Sequence, residues 1–189
     1  LLKGHQIDEK ELIQRCIENS ARHQRMLYHQ HCDMVMGVCM RYSSSEADAE
    51  DILQEAFITV FRKLDTFKGE GALGGWSRKI TVNAALMHYR KNKKNSLYAE
   101  IDDEGISVAS DDNVFDEISA KQLMRLIQEL PEGYRMVFNL YGIEGYKHHE
   151  IADQLGISEG TSKSQYSRAR KILVEKIRKE ELLASERAV

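Results

Sequence analysis

The chain has 189 residues, enough for one large domain or two small ones, and 42% of them are apolar, enough to bury cores. No apolar run reaches the length of a membrane-spanning helix, the starting LLKGHQIDEK lacks the apolar centre of a signal peptide, and three cysteines are an odd number for a disulfide framework; the expectation is a cytoplasmic protein with no membrane insertion. The formal net charge of −3 speaks against a nucleic-acid binder only when averaged, because Lys and Arg dominate 78–94 and 163–171 while 95–120 holds no cation.

In chain order, Glu9 to Glu18 and Arg22 to Tyr42 show helical spacing, the second through Leu27, Val35, Val38, Cys39 and Tyr42. Cys16, Cys32 and Cys39 fall within these patterns. His29, His31 and Cys32 crowd together, but their spacing does not put three ligands on one helical face, and no CxxC pair completes a metal site. After the polar turn Ser43 to Ser45, the segment Glu46 to Leu64 has the clearest periodicity in the chain. Ala49, Ile52, Leu53, Ala56, Phe57, Val60, Phe61 and Leu64 recur at three-and-four intervals and predict an amphipathic helix. Its polar side carries Asp51, Gln54 and Glu55, which from the residues alone read as a solvated acidic face.

A glycine-rich loop, Lys68 to Gly75, precedes a helix predicted to begin near Trp76, to bury Ile80, Ala84 and Met87, and to end in the basic RKNKK. Apolar content then falls. Glu100, Asp102, Asp103, Glu104, Asp111, Asp112, Asp116 and Glu117 would repel DNA, so 95–114 reads as an acidic linker between a domain over 1–94 and another over 115–189. Helices are expected over Phe115 to Leu130 and Glu132 to Tyr141. No stretch shows strand alternation, so the predicted fold is all-α, two small helical domains.

The most informative segment is YKHHEIADQLGISEGTSKSQYSRARKILVEKI. Ile151, Ala152 and Leu155 give a short helix with an apolar inner face, Gly156 stops it, and the Ser158 hydroxyl is placed to cap a second helix. Ala152 suits the close crossing of a helix-turn-helix. From Ser162 to Lys171 the second helix carries Lys163, Arg168, Arg170 and Lys171 and no acid, where a solvated helix face intersperses both signs. Phosphate contact explains that excess, and Lys163 or Gln165 would read base edges.

These blocks resemble a known family. DAEDILQEAFITVFRKLDTF, a glycine-rich loop and WSRKITVNAALMHYRK look like domain 2 of the extracytoplasmic-function group of sigma-70-type factors, and LPEGYRMVFNLYGIEGYKHHEIADQLGISEGTSKSQYSRARKIL looks like their domain 4. The resemblance runs from about Arg22 to Lys179 in the family's order. It implies that Asp51, Gln54 and Glu55 meet the clamp helices of the polymerase largest subunit, the flap being a further contact on core polymerase. It assigns Phe67, Arg78, Lys79, Asn83 and Arg90 to the minus-ten promoter element. Unstacked bases need aromatic or amide partners and backbone cations, and Tyr89 adds to that supply, while Trp76 reads as a core anchor. Lys163, Ser164, Gln165, Ser167, Arg168, Arg170 and Lys171 fall on the minus-thirty-five contacts, with Arg170 and Lys171 on phosphates. The resemblance also implies an anti-sigma partner and a linker that threads the polymerase.

The sequence departs from the family at several points. Ser77 stands where an apolar residue is common, Ser162 where the family has valine, Gln165 where it often has arginine, and Tyr166 where it has leucine. Weaker packing at Ser162 and a changed base preference at Gln165 are expected. No nucleophile, metal or phosphate-loop constellation is present, so the expectation is a non-enzymatic promoter-specificity subunit without cofactors. The alternative is a stand-alone helix-turn-helix regulator.

Overall fold

The computed structural model describes residues 7–95 and 118–187. Among these residues the secondary structure is helical, with no strand. The chain forms two compact units, Leu1–Cys39 with Ser45–His88, and Met40–Ser44 with Tyr89–Val189. The acidic residues from Glu100 to Glu117 lie outside the described residues.

The first unit is built from α1 (Glu9–Ile17), most of α2 (Ala21–Tyr42), α3 (Glu46–Lys63), a 3-10 turn (Leu64–Thr66) and most of α4 (Leu73–Asn95), the last residues of α2 and α4 counting with the second unit. Ser45 starts α3 by accepting the Asp48 amide at 3.1 Å, satisfying one of the donors that a helix start leaves open. The α3 stripe is buried as its spacing predicts: Ala49, Ile52, Leu53, Ala56, Phe57 and Val60 all face inward. Phe57 meets Tyr28 of α2 with ring centroids 4.5 Å apart. Leu12, Cys16, Leu27, Val35, Val38 and Cys39 complete this core. Burial pushes the Cys39 thiol up to about 12, which keeps it protonated and unreactive at neutral pH.

The loop before α4 is shorter than its glycines imply. The helix starts at Leu73, so Gly74 and Gly75 occupy its first turn and not a flexible loop. Fully buried Leu73 anchors that turn, and the Ala72 carbonyl accepts the amides of Gly75 at 3.0 Å and Trp76 at 3.3 Å. The α4 register also differs from expectation. Leu73, Ser77, Thr81, Val82, Ala85 and Leu86 are buried, Ile80 and Ala84 only half-buried, and Met87 is 69% exposed. Thr81 can occupy the buried stripe because its hydroxyl donates to the Ser77 carbonyl at 2.9 Å.

The second unit contains α5 (Ala120–Gln128), α6 (Glu132–Phe138), a π-helical turn (Asn139–Ile143), α7 (His148–Leu155) and α8 (Glu159–Arg187). Ser119 caps α5 through the Gln122 amide, and the first residues of the helix predicted over Phe115 to Leu130, 115–117, lie outside the described residues. Leu126, Ile127, Leu130, Phe138, Ala169, Leu173 and Ile177 form its core. The predicted helix to Tyr141 stops being α-helical after Phe138, where the Glu144 amide reaches back five residues to the Asn139 carbonyl at 2.9 Å. Gly142 lies within this turn. A Cβ there would stand 3.4 Å from the Tyr166 ring.

The α8 helix runs 29 residues without a break, about 44 Å at 1.5 Å per residue. Glu180 fastens its distal half to α5 by accepting from Arg125 and from Gln122 Nε2, the latter at 2.7 Å, while Lys176 pairs with Glu129.

Candidate nucleic-acid interface

The helix-turn-helix is built from α7, a three-residue turn and the start of α8. Gly156 ends α7 at φ 66° and ψ 41°, the left-handed conformation in which a side chain is strained. Its amide and that of Ile157 both return to the Ala152 carbonyl, at 2.9 and 3.2 Å. Ser158 then accepts the Thr161 amide at 2.9 Å and opens α8. Ile151, Ala152 and Leu155 turn inward from α7, and Ser162, Ala169 and Leu173 from α8.

Helical spacing places Ser164, Ser167 and Lys171 along one stripe opposite that buried face. Lys171 is exposed, and Ser164 and Ser167 are half-buried. Lys163 is exposed on one flank and pairs with Glu159 at 2.6 Å, which holds the Glu159 carboxyl below its ordinary range. Arg170, half-buried, shares that flank. Arg168 and Gln165 lie on the other flank, toward α6. The Arg168 guanidinium donates to the Tyr134 hydroxyl at 3.4 Å, and the Gln165 amide stands 3.5 Å from where a Cβ on Gly133 would be. Tyr166 packs against the core, as expected of a residue that takes the place of a family leucine.

Ser162 is fully buried, and its hydroxyl lies 2.9 Å from Nδ1 of His148. The packing loss expected at this departure is therefore offset by a polar contact, which spacing alone does not reveal.

In the first unit, Asp51, Gln54 and Glu55 are all exposed on α3. Ile58 continues the same face and is 57% exposed, an apolar residue that the periodicity marks only by leaving it out of the buried stripe. On α4, Lys79, Asn83 and Arg90 are exposed at spacings that share a face, and Met87, expected in the core, joins them. Arg78 is half-buried. Phe67 is half-buried with its ring 5.5 Å from that of Trp76, so both aromatics are already engaged with each other. Tyr89 is 6% exposed and is removed from the base-stacking candidates, because the shifted α4 register turns it inward.

The described residues contain no group of three His, Cys, Asp or Glu side chains able to hold a metal ion, and no helix long and apolar enough to cross a membrane. A capped helix-turn-helix with a cation-bearing second helix defines the second unit as a DNA-binding unit of the transcription-factor class.

Comparison with known proteins gives the family. The sigma-70 region 2 model matches residues 27–95, and the sigma-70 region 4 model matches 120–173. The chain is 33% identical over 151 residues to an ECF RNA polymerase sigma factor SigE of Mycolicibacterium smegmatis, a match covering 78% of this chain and 58% of that relative. It is 28% identical over 185 residues to the ECF RNA polymerase sigma-E factor of Haemophilus influenzae, covering 92% of this chain and 97% of the relative. Among solved structures it is similar to the sigma factor RpoE of Bartonella quintana, in complex with the anti-sigma factor NepR, with TM-score 0.45 and 23% identity over 80% of this chain and 94% of that one. The chain belongs to the extracytoplasmic-function group of the sigma-70 family, the sigma factors of transcription initiation.

Proposed function

We propose that the protein is a promoter-specificity subunit that binds core RNA polymerase, directs it to particular promoters and assists melting of the duplex, without catalysing a reaction itself. The observation that carries this reading is the exposed α3 face of Asp51, Gln54, Glu55 and Ile58 on a chain that also carries a helix-turn-helix. A stand-alone regulator needs the second feature and has no use for the first. On this reading the α3 face meets the clamp helices of the largest subunit, with a further contact at the flap. Lys79, Asn83 and Arg90, with Phe67 and Arg78 beside them, serve the minus-ten element. Lys163, Ser164, Ser167 and Lys171 serve the minus-thirty-five element, with Gln165, Arg168 and Arg170 at the flanks.

On this reading the protein acts in the cytoplasm, where promoters and core polymerase meet. The acidic linker, as a polyanion, stays off the duplex and threads the polymerase. A separate anti-sigma protein is the proposed inhibitor. The deciding experiment is run-off transcription with core polymerase and a library of promoter fragments. Specific transcripts that require both the protein and core are expected. Tight binding to an operator by the protein alone, with no stimulated transcription, would establish a stand-alone regulator instead.

A further inference from the structure

The buried hydroxyl of Ser162 is held by a partner that is itself held from two more sides. A hydroxyl removed from water is costly unless hydrogen-bonded, and here the bond is made by the first residue of α7, His148. The imidazole stacks on Tyr141 of the π-helical turn, with centroids 4.1 Å and planes 11° apart. Tyr166, one turn beyond Ser162 on α8, meets the same ring edge-on at 6.1 Å. One side chain thus ties the π-helical turn and both helices of the helix-turn-helix together. Its grip on α8 lies immediately before Lys163 and Ser164.

We propose that His148 is a positioning residue for promoter reading, setting the rotation of α8 through Ser162 so that Lys163 and Ser164 meet base edges in one register. Base-edge hydrogen bonds require fixed direction and separation, whereas phosphate contacts tolerate small displacements. Loss of the His148 contact therefore blurs base choice before it weakens DNA binding in general. The inference rests on the proposed reading of α8 as the minus-thirty-five reader.

The test uses the full chain bound to core polymerase and a duplex library randomised over the upstream element. The wild-type holoenzyme is expected to select a defined sequence. His148→Ala should lower discrimination about three- to tenfold at the bases nearest Lys163 and Ser164, the effect of one hydrogen bond, while sequence-independent binding and its salt slope stay unchanged. His148→Asn places an amide where Nδ1 stood and should restore much of that discrimination.

Ser162→Ala removes the hydroxyl without adding bulk at this fully buried position and should alter preference at the same bases. Because both substitutions break one contact, the double variant should be no worse than the more affected single. Ser162→Ala also keeps the proposal falsifiable should His148→Ala fail to fold. Wild-type preference in the folded variants, with only a lowered melting temperature, overturns the positioning role alone. A wild-type holoenzyme that selects no upstream sequence overturns both this role and the underlying promoter reading.

Discussion

Asp51 and Glu55 are exposed acids on a helix whose other face is core, so their charge can be reversed without disturbing packing. Replacing both by Lys is expected to abolish association with core polymerase, measured by fluorescence titration, with helical content and melting temperature nearly unchanged. Ile58→Asp should also weaken that association about tenfold or more, since an apolar residue within a polar contact face is the group that desolvates on binding. On α8, Lys171→Ala should weaken all duplexes alike and lower the salt slope by about one unit, whereas Gln165→Ala should change preference at particular bases by about 1–3 kcal/mol. Competition binding separates the two outcomes, and a uniform loss for both would remove Gln165 from sequence reading. Burial, then repulsion from Lys163, lowers the His148 pKa from 6.5, with Glu159 acting in the opposite sense. The unfolded chain therefore binds the proton first, and the stability held by neutral His148 is whole above about pH 6.5 and is lost as pH falls through the lower folded value. Burial depresses His31 as well, opposed by Glu9, so the His148 share is obtained by comparing the melting temperature of wild type and His148→Asn between pH 7.5 and 5.

Helix ends are the most sensitive local points of the elements. Gly156→Ala forces a side chain into the left-handed region and is expected to cost about 1–2 kcal/mol, and Ser45→Ala about 1 kcal/mol through the lost cap, both measurable by chemical denaturation. The Gly156 stop was legible in the sequence, as was the Ser158 cap after it, because a glycine stop and a serine cap are local devices; Ser45 read only as part of a polar turn. The α3 helix was legible too, since its buried stripe is wholly apolar and leaves Asp51, Gln54 and Glu55 on the outside. The α4 register was not. Ser77 and Thr81 occupy its inner stripe, and the hydroxyl bond that makes Thr81 acceptable there is invisible to apolar periodicity. That same slip hid the exposure of Met87 and the burial of Tyr89. Nor was the π-helical turn, which lies where Tyr166 of α8 packs near Gly142, a tertiary contact that no local pattern encodes. The His148–Ser162 contact escaped for the same reason, as its partners belong to different helices.

At the scale of the whole molecule, charge is arranged in blocks. Changing Asp102, Asp103, Asp111 and Asp112 to Asn tests whether the acidic block restrains the basic ones. If a separate protein does the silencing, the free full-length variant should bind promoter duplex more tightly only by the amount its altered net charge predicts across several salt concentrations. A larger, salt-sensitive gain would instead reveal self-inhibition by the linker. The unbroken length of α8 makes a quite different measurement possible. Ser185 is exposed near its far end, about 33 Å along the axis from Lys163, so a rigid label there would act as the tip of a pointer whose base is the proposed DNA-reading end. A 10° swing of the base would carry the tip roughly 6 Å on that geometry, well within the resolution of spin-label distance measurements. Small reorientations of the DNA-reading end would thus be recorded at a point far enough away to leave the contacts themselves undisturbed.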